Sequence, residues 1–400
     1  MHTTTTHQRT TKKVKEASWL TVLRIVLACV FLFSGMSKAI DPVGWGIKMD
    51  EYFTSMNMGF MHPFALWIGI LVNIAEFTMG FMLLFKIRVR LTTLGYLLFM
   101  LFFFFLTAWL AIAEHLEVHY GYHFGVVKDC GCFGQAITMS NLETFMKNVL
   151  LLFLTLIVFG KRKTIPDIRL TLFGQWLFAC VGAGIVFLVQ YYCLYNLPLV
   201  DFSDWKKGKN VTELFIEKPA EKEILFLYAD KNGVEKRLSI EEMDNITDKY
   251  PKFYEEYNYI DRIDSVITEA VHPKISGFSM LDRQGKDWAN IYLNENKEMV
   301  YLLFMPDLDE VDERGIKSEN LQKLIANCIA KNIDFAGITN SSLENIEAFI
   351  AKYNITFPIY YHSVDPVKGP FMVRDAIRSN PGLILLKNGV VAEKKGWRQF

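Results

Sequence analysis

The stretch KRKTIPDIR, residues 161–169, decides how many times this chain crosses a membrane. It separates two long apolar runs, and a re-entrant hairpin at this point would carry its basic residues into the bilayer. Basic residues at the membrane surface are instead typical of a loop between two complete crossings. Because each crossing needs about 20 apolar residues, we predict five transmembrane helices, near residues 18–36, 64–85, 91–113, 142–160 and 172–195.

The distribution of lysine and arginine between these runs predicts their orientation. Basic segments at 12–15, 86–90 and 161–169 occupy alternate connections, and short basic loops stay on the cytoplasmic side. The leader, residues 1–17, lacks a small-residue cleavage site, which is typical of an uncleaved first span. We therefore expect a multi-pass protein of the cell inner membrane with a cytoplasmic N-terminus. The loops 37–63 and 114–141, and everything after about residue 196, would then be periplasmic.

Composition limits the remaining possibilities. The chain of 400 residues carries 43 basic and 43 acidic residues, so no basic surface for nucleic acid is expected. Six cysteines are too few for a disulfide-built scaffold. Four of them lie in apolar or helical patterns and are expected to pack as small hydrophobic residues: Cys29, Cys180, Cys193 and Cys328.

Cys130 and Cys132, in KDCGCFGQA (128–136), are the two cysteines spaced for local chemistry. Residues two apart have Cα atoms about 5.5–7 Å apart, which overlaps the range of about 4.4–6.8 Å found for disulfides. Gly131 between them permits unusual backbone dihedrals. Three interpretations stay open: a redox pair on the oxidising side of the membrane, a structural loop with or without a static bridge, and a metal site.

Glu76 is an ionisable residue inside the second apolar run. A carboxylate at that depth costs about 2.5–3.5 kcal/mol, so such groups usually face a partner or a cavity. Arg24 lies about one turn inside the first run from the same side, and an Arg24–Glu76 ion pair is predicted. The pair would fix how two helices dock. The alternatives are a carboxylate that handles protons or a quinol, and a neutral, hydrogen-bonded carboxyl group with no further role.

His115, His119 and His123 follow the third run at intervals of four residues. On a continuing helix they would lie on one face, where they could hold a metal ion. Histidine and tyrosine also suit the headgroup zone of a membrane. We favour that second interpretation and expect no resident metal.

Three stretches in the first half resemble a known family. They are LFSGMSKAIDPVGWGIKMDEYF (32–53), AEFTMG (75–80) and KDCGCFGQAI (128–137). They resemble DoxX-type membrane proteins and the related methylamine-utilisation protein E group, in the form found in Bacteroidetes. The resemblance covers about residues 18–215 and implies a four-helix membrane bundle, with Lys38 and Asp41 as structural residues at the turn after the first span.

This group is also similar in layout to vitamin K epoxide reductase-type oxidoreductases. Those enzymes carry reactive cysteines at the outer entrance of a membrane helix and exchange electrons with quinone. The resemblance makes quinone a candidate cofactor, while the residues themselves leave the cofactor unknown. Those enzymes use Cys-x-x-Cys, whereas this chain has Cys-x-Cys.

The second half has the pattern of a soluble α/β domain. A hairpin is predicted around Asn232-Gly233, followed by a charged, aromatic-rich helical segment to about residue 267. The apolar run MVYLLFM suits a buried strand. Helical patterns at about 318–332 and 342–354 each lead into a strand, and a final hairpin follows. Alternating strands and helices imply a sheet with helices on both faces.

The order of these elements over about 275–400 resembles a thioredoxin-like domain of the TlpA type. In that fold a Cys-x-x-Cys follows the first central strand, where this chain has Asp307-Leu308-Asp309-Glu310. The domain therefore resembles a thioredoxin fold without its thiols. Asn380 and Pro381 match the family's cis-proline position, which implies an edge for binding a partner.

Together these patterns predict five parts: a leader (1–17), a four-helix membrane domain (18–160), a fifth span (172–195), an intermediate periplasmic segment (205–270) and the thioredoxin-like domain (275–400). The predicted function is that of a thiol–disulfide or quinone-linked accessory in envelope protein maturation, with a periplasmic or envelope protein as partner. The alternative is a non-enzymatic membrane scaffold that presents a degenerate thioredoxin-like domain.

Overall fold

The computed structural model of the protein describes residues 16–121, 127, 131–135, 137, 139–215, 221–231, 233–268, 275, 278–362 and 369–400. Its helices are α1 (Ser18–Ile40), α2 (Pro42–Ser55), α3 (Ala65–Leu84), α4 (Val89–Tyr120), α5 (Asn141–Gly160), α6 (Leu172–Tyr195), α7 (Val211–Phe215), α8 (Ile240–Asp244), α9 (Ile246–Lys249), α10 (Phe253–Glu256), α11 (Ala289–Tyr292), α12 (Glu313–Ile316), α13 (Glu319–Ala330), α14 (Leu343–Tyr353) and α15 (Gly369–Ala376). Its strands are β1 (Cys132–Gln135), β2 (Glu221–Asp230), β3 (Glu235–Ser239), β4 (Tyr257–Thr268), β5 (Val300–Phe304), β6 (Asp334–Thr339), β7 (Ile359–Tyr361), β8 (Gly382–Lys387) and β9 (Val390–Gly396).

Among the described residues, five helices are long and apolar enough to cross a membrane: α1, α3 with the 3₁₀ turn before it, α4, α5 and α6. They coincide with the five predicted spans, so the prediction of a helical membrane bundle is confirmed. α3 lies at the centre of the bundle and packs against α1, α2, α4 and α6. We refer to α1–α6 with their loops as the membrane domain.

Glycines allow the central helices to approach closely. A Cβ atom on Gly80 of α3 would lie 3.1 Å from the carbonyl oxygen of Ala28 in α1. A Cβ atom on Gly182 of α6 would lie 2.7 Å from the ring of Phe81. Small residues let membrane helices approach closely, and the van der Waals packing that results helps to drive the association of helices in lipid. These contacts fix α1, α3 and α6 as one unit.

Two of the basic connections, at 86–90 and 161–169, lie together at one end of the bundle. The amide of Ile168 donates to the carbonyl of Lys86 at 2.8 Å, and the amide of Val89 donates to the carboxylate of Asp167 at 2.8 Å. At the opposite end, α2 follows α1 directly, a helix that the sequence patterns did not predict. It begins at Pro42, which suits a first helical position. The odd number of crossings puts the soluble half at the α2 end.

The predicted Arg24–Glu76 ion pair is wrong. Nη1 of Arg24 donates to the carbonyls of Leu83 and Leu84 at 2.7 Å each, and Nε pairs with Glu16 at 2.9 Å. The last carbonyls of a helix have no partner within the helix and attract a cation. Glu76 lies seven residues before Leu83, about 10 Å deeper at a rise of about 1.5 Å per residue. Arg24 is therefore a structural residue at the end of α3.

The soluble half contains a five-stranded sheet in the order β7-β6-β5-β8-β9. β5, β6 and β7 are parallel, while β8 and β9 run antiparallel to them. One face packs on α13 and α14, and the other packs on α11 and α15. This sheet, with helices on both faces, confirms the predicted α/β fold of the thioredoxin-like type.

A smaller sheet, in the order β3-β2-β4, precedes it. β2 and β3 form the predicted hairpin, although Asn232 lies outside the described residues. The prediction of a helical segment to about residue 267 is wrong, because only short helices precede β4, which then pairs with β2 along its length. The charged residues of this segment suggested a helix. Strand propensity is high at several positions of this segment, namely Tyr257, Tyr259 and Ile263. Pairing with β2 gives their backbone amide and carbonyl groups hydrogen-bond partners.

Candidate functional site

The described part of the cysteine loop begins at Gly131 and continues as β1 along α1. The hydroxyl of Ser34 donates a hydrogen bond to the carbonyl of Cys132 at 2.5 Å. Cys132 is partly exposed and packs beside Tyr52 and Val127. Cys130 lies outside the described residues, so the pairing of the two sulfurs stays a prediction.

Two glycines shape this loop. Gly131 and Gly134 have φ values of 61° and 58°, a left-handed conformation that favours glycine, and the amide of Gly134 donates to the carbonyl of Gly131 at 2.8 Å. A Cβ on Gly131 would lie 3.3 Å from the ring of Trp45 and 3.2 Å from Lys48, both on α2. The loop is thus pressed against α2 on one side and α1 on the other.

Glu76 has a partner in Lys38. The Nζ atom of Lys38 lies 2.7 Å from Oε2 of Glu76 and 3.0 Å from the hydroxyl of Ser34. Both charged side chains are buried, and the ammonium also lies 4.8 Å from the centre of the Trp45 ring. The sequence singled out Lys38 and Glu76 separately. It did not connect them, because 38 residues and an intervening helix separate them.

These groups line a small pocket between α1, α4 and α5. Its polar wall contains Ser34, Lys38, Glu76, Cys132, Lys147 and Asn148, and its apolar wall contains Val30, Phe31, Phe99, Met100, Phe103, Phe133 and Leu151. The cavity volume is about 30 Å³, room for one or two water molecules. Cys132, Lys38, Lys147 and Glu76 therefore line one small pocket of the bundle.

Lys147 and Ser34 have a place in this pocket that sequence analysis missed. Nζ of Lys147 lies 4.4 Å from the centre of the Phe133 ring, and Phe133 directly follows Cys132. A lysine inside the fourth apolar run was the available signal, because ionisable residues within a span usually face a partner or cavity. Ser34 gave no such signal, since serine is common where membrane helices pack.

The histidines do not form a metal centre within the described chain. His115 and His119 stack on one face of α4, with ring centres 4.1 Å apart. His123 lies outside the described residues. Where the chain is described, no group of three potential ligands lies close enough to hold a metal ion.

The predicted partner-binding residues lie at the junction between the two halves of the chain. The peptide bond between Asn380 and Pro381 is cis. Nδ2 of Asn380 donates to the carbonyl of Asp307 at 2.7 Å, and the carbonyl of Asn380 accepts from the amide of Asp312 at 3.0 Å. The acidic segment that replaces Cys-x-x-Cys therefore lies beside the cis-proline. The backbone of this part of the chain already bonds the side chain and the carbonyl of Asn380.

Arg378, two residues before Asn380, contacts the membrane domain. Its Nε atom donates to both carboxylate oxygens of Asp41, at 3.0 and 3.1 Å. Burial alone would lower the pKa of Arg378, but the carboxylates of Asp41 and Asp375 outweigh it and raise the pKa. The guanidinium is therefore charged at every physiological pH.

A second ion pair lies beside this junction. Nζ of Lys394 in β9 lies 2.5 Å from Oδ2 of Asp201, in the segment after α6. Burial lowers the pKa of Lys394, and Asp201 offsets this only in part. For Asp201, burial would raise the pKa, but Lys394 and Ser203 together lower it. The two shifts differ in what they favour: the lowered pKa of Asp201 favours the ion pair, whereas the lowered pKa of Lys394 reflects the cost of burying its ammonium group.

Comparisons with known proteins agree with this architecture. Residues 16–160 match the family described as methylamine utilisation protein MauE, a range that contains α1–α5 and the cysteine loop. The chain thus has a MauE-like membrane domain, as the sequence motifs predicted, and the likeness to DoxX stays a prediction. No solved structure matches the chain.

The chain is also similar to protein TlpB of Flavobacterium psychrophilum. The two are 24% identical over 148 residues, which are 37% of this chain. The match spans 38% of the length of that relative. The similarity supports the predicted fusion of a MauE-like membrane domain with a TlpA-type, thioredoxin-like domain.

Proposed function

We propose that this protein carries out thiol–disulfide exchange at Cys130 and Cys132, as an accessory in the maturation of envelope proteins. The four-helix domain (18–160) and the fifth span (172–195) lie in the inner membrane. The intermediate segment (205–270) and the thioredoxin-like domain (275–400) lie in the periplasm with the cysteine loop. The basic segments at the opposite end of the bundle support this orientation.

One observation carries the proposal: Cys132 shares its pocket with the ammonium groups of Lys38 and Lys147. The thiolate is the reactive form of cysteine, and nearby positive charge favours it. Glu76 pairs with Lys38, and Lys147 contributes a second positive charge to the lining of the pocket that Cys132 shares.

In the exchange step, a thiolate of the partner protein attacks one sulfur of a Cys130–Cys132 disulfide. A mixed disulfide forms, and the other cysteine leaves as a thiolate. The second partner thiol loses its proton and attacks the mixed disulfide. The partner departs oxidised, two electrons remain on this chain, and the two thiol protons are available to the two reduced cysteines.

The pocket does not fit quinone as it stands. Its volume of about 30 Å³ is smaller than a quinone ring, and Phe99, Phe103 and Phe133 close its apolar side. No step of the proposed exchange is therefore assigned to quinone.

Alkylation trapping tests the exchange in intact cells. Cells are quenched in acid and their thiols are labelled with a maleimide of high mass, before and after reduction. We expect a disulfide that contains both Cys130 and Cys132, and we expect the Cys132→Ser variant to accumulate a mixed disulfide with a partner. Cys328→Ser is the matched control, since Cys328 is buried in the soluble domain. Two permanently reduced thiols in the wild type, with no mixed disulfide in the Cys132→Ser variant, would contradict the proposal.

The alternative is a scaffold that recruits envelope proteins without chemistry. It is favoured by the acidic segment Asp307–Glu310, which stands where the thioredoxin-like fold would carry its thiols. The double variant Cys130→Ser/Cys132→Ser separates the two functions. If the protein exchanges disulfides, the double variant should lose that activity while its abundance stays normal. If the protein is a scaffold, the double variant should still co-purify with the same envelope protein as the wild type.

A further inference from the structure

Arg378 and Asp41 join the two halves of the chain through a buried contact. They are 337 residues apart in sequence, and their side chains are 4% and 7% exposed. Nη2 of Arg378 also pairs with Asp375 at 3.0 Å, and Nη1 donates to the carbonyl of Arg374 at 2.5 Å. The guanidinium is thus held in place from its own domain and presented to the Asp41 carboxylate of the membrane domain.

Asp41 has a second task in the same place. Its Oδ1 atom accepts from the amide of Gly44 at 2.9 Å and so caps the N-terminus of α2. A Cβ on Gly44 would lie 2.9 Å from Nη2 of Arg378. The arginine therefore contacts the first turn of α2 as well as the residue that starts it.

The next turns of α2 contact the cysteine loop. Trp45 and Lys48 lie against Gly131, and Met49 and Tyr52 belong to the cluster that includes Cys132. A continuous series of contacts thus runs from the cis-proline segment of the soluble domain, through Arg378, Asp41 and α2, to the loop that carries the thiol.

We propose that the Arg378 face of the thioredoxin-like domain is an interaction surface whose partner is the chain's own membrane domain, and that docking there holds α2 against the cysteine loop and limits access to Cys132. The functional meaning of this regulation rests on the proposed exchange at that cysteine. The partner of the Arg378 face is thus an Asp-capped helix in the same chain, and an external protein must displace that helix to bind at Arg378.

The energetics of the contact favour two distinct states. When one member of a buried ion pair loses its partner without reaching water, an uncompensated charge remains. A partial separation of Arg378 from Asp41 is therefore unfavourable. Arg378 would keep Asp375 on separation, but Asp41 would lose the cation it pairs with, so the soluble domain is either docked or displaced far enough for the Asp41 carboxylate to be hydrated. Coupling of this kind requires a two-state element that both sites influence, and α2 is that element.

The test compares Arg378→Gln with Arg374→Gln. Arg374 lies four residues earlier, is half-exposed, and pairs with Glu310 at 3.4 Å within its own domain, so it controls for the loss of a positive charge. Full-length protein is placed in lipid nanodiscs under reducing conditions, with Cys132 and Cys328 as its only cysteines. The rate of labelling of each by a water-soluble maleimide is followed by mass spectrometry.

We expect Arg378→Gln to raise the labelling rate of Cys132 several-fold, while Cys328 stays protected because the soluble domain remains folded. Arg378→Lys, which keeps the charge but loses the two-oxygen contact, should give an intermediate rate. Arg374→Gln should label like the wild type. A wild-type Cys132 rate in Arg378→Gln, or a rise that occurs only together with Cys328, would overturn the proposal.

The outcome does not depend on turnover. Labelling is measured on reduced protein without a partner, so a failure of the proposed exchange would leave the difference between Arg378→Gln and Arg374→Gln intact. Conversely, equal labelling rates would remove the docking proposal and leave the exchange at Cys130 and Cys132 untouched.

Discussion

The ammonium of Lys38 lies 2.7 Å from the carboxylate of Glu76, between α1 and α3, and both side chains are buried. Lys38 also donates to Ser34, which in turn donates to the carbonyl of Cys132. The ion pair therefore links the two helices at the centre of the bundle to the cysteine loop. Variants that remove this ion pair can test its contribution to folding and its contribution to disulfide exchange separately.

Glu76→Gln should destabilise the membrane domain. It leaves the Lys38 ammonium buried without a carboxylate, and loss of one partner of a buried ion pair typically costs roughly 3–5 kcal/mol. We expect a marked drop in the melting temperature of the protein in detergent. The measurement is the fraction of protein that remains monodisperse on size-exclusion chromatography after heating to a series of temperatures.

The double variant Lys38→Met/Glu76→Met is the control for this loss. Replacing a whole buried pair by apolar residues is often neutral or stabilising, so most of the lost stability should return. If the double variant folds but no longer exchanges disulfides, the pair takes part in the chemistry. A Glu76→Gln protein as stable as the wild type would show that the pair contributes nothing to folding.

Gly131→Ala should distort the cysteine loop. An L-residue in the left-handed region costs about 1–2 kcal/mol, and the new methyl group would meet Trp45 at 3.3 Å. We expect faster hydrogen exchange of the loop and a lower melting temperature. The matched control is Gly184→Ala in α6, where nothing lies within 4 Å of the added Cβ. Alanine is favoured over glycine inside a helix, so this control should be neutral or stabilising, and equal effects of the two changes would refute the packing argument.

Glu313 gives the soluble domain a specific pH dependence. Hydrogen bonds from Lys317, Tyr353 and Lys352 lower the pKa of its carboxyl group from 4.5 to about 2. A carboxyl group whose pKa is lowered on folding stabilises the folded state above its unfolded-state pKa and loses that contribution as pH falls. The difference in melting temperature between wild type and Glu313→Gln should be constant above about pH 4.5 and shrink between pH 4.5 and 2. A difference that does not change over this range would be inconsistent with the contacts.

Topology reporters test the orientation of the whole chain. Alkaline phosphatase is active only after export, so a fusion after Lys163 should be inactive and a fusion after Phe400 should be active. The reason is the excess of basic residues in the connections at one end of the bundle. Activity at both positions, or at Lys163 alone, would contradict the proposed placement of the soluble domain and the cysteine loop.

Much of the fold could be predicted because its signals are local. Twenty-residue apolar runs and basic turns define the five spans, and the run Val300–Phe304 with its flanking helical patterns defines the central sheet. Where a segment had two competing local signals, the prediction was wrong. The charges of residues 257–268 suggested a helix, but pairing with β2 decided the outcome.

The candidate site was less predictable because it depends on distant partners. The depth of Arg24 and Glu76 in the membrane suggested that they form an ion pair. Arg24 instead contacts Glu16 and the last carbonyls of α3, and Lys38 pairs with Glu76. Nothing local to Arg378 indicated that it would meet Asp41. The helix α2 that connects them was hidden, because its apolar and polar residues do not form a strong stripe on one face.

The tight contact between Gly131 and Trp45 has a consequence for how this motif can diversify. Lengthening Cys-Gly-Cys to the four-residue spacing of common dithiol enzymes would insert backbone where the indole already lies. Such an insertion therefore requires a compensating change in α2, and α2 is anchored in turn to the soluble domain. The position of Cys132 is therefore constrained by α2 and the soluble domain as well as by its own loop.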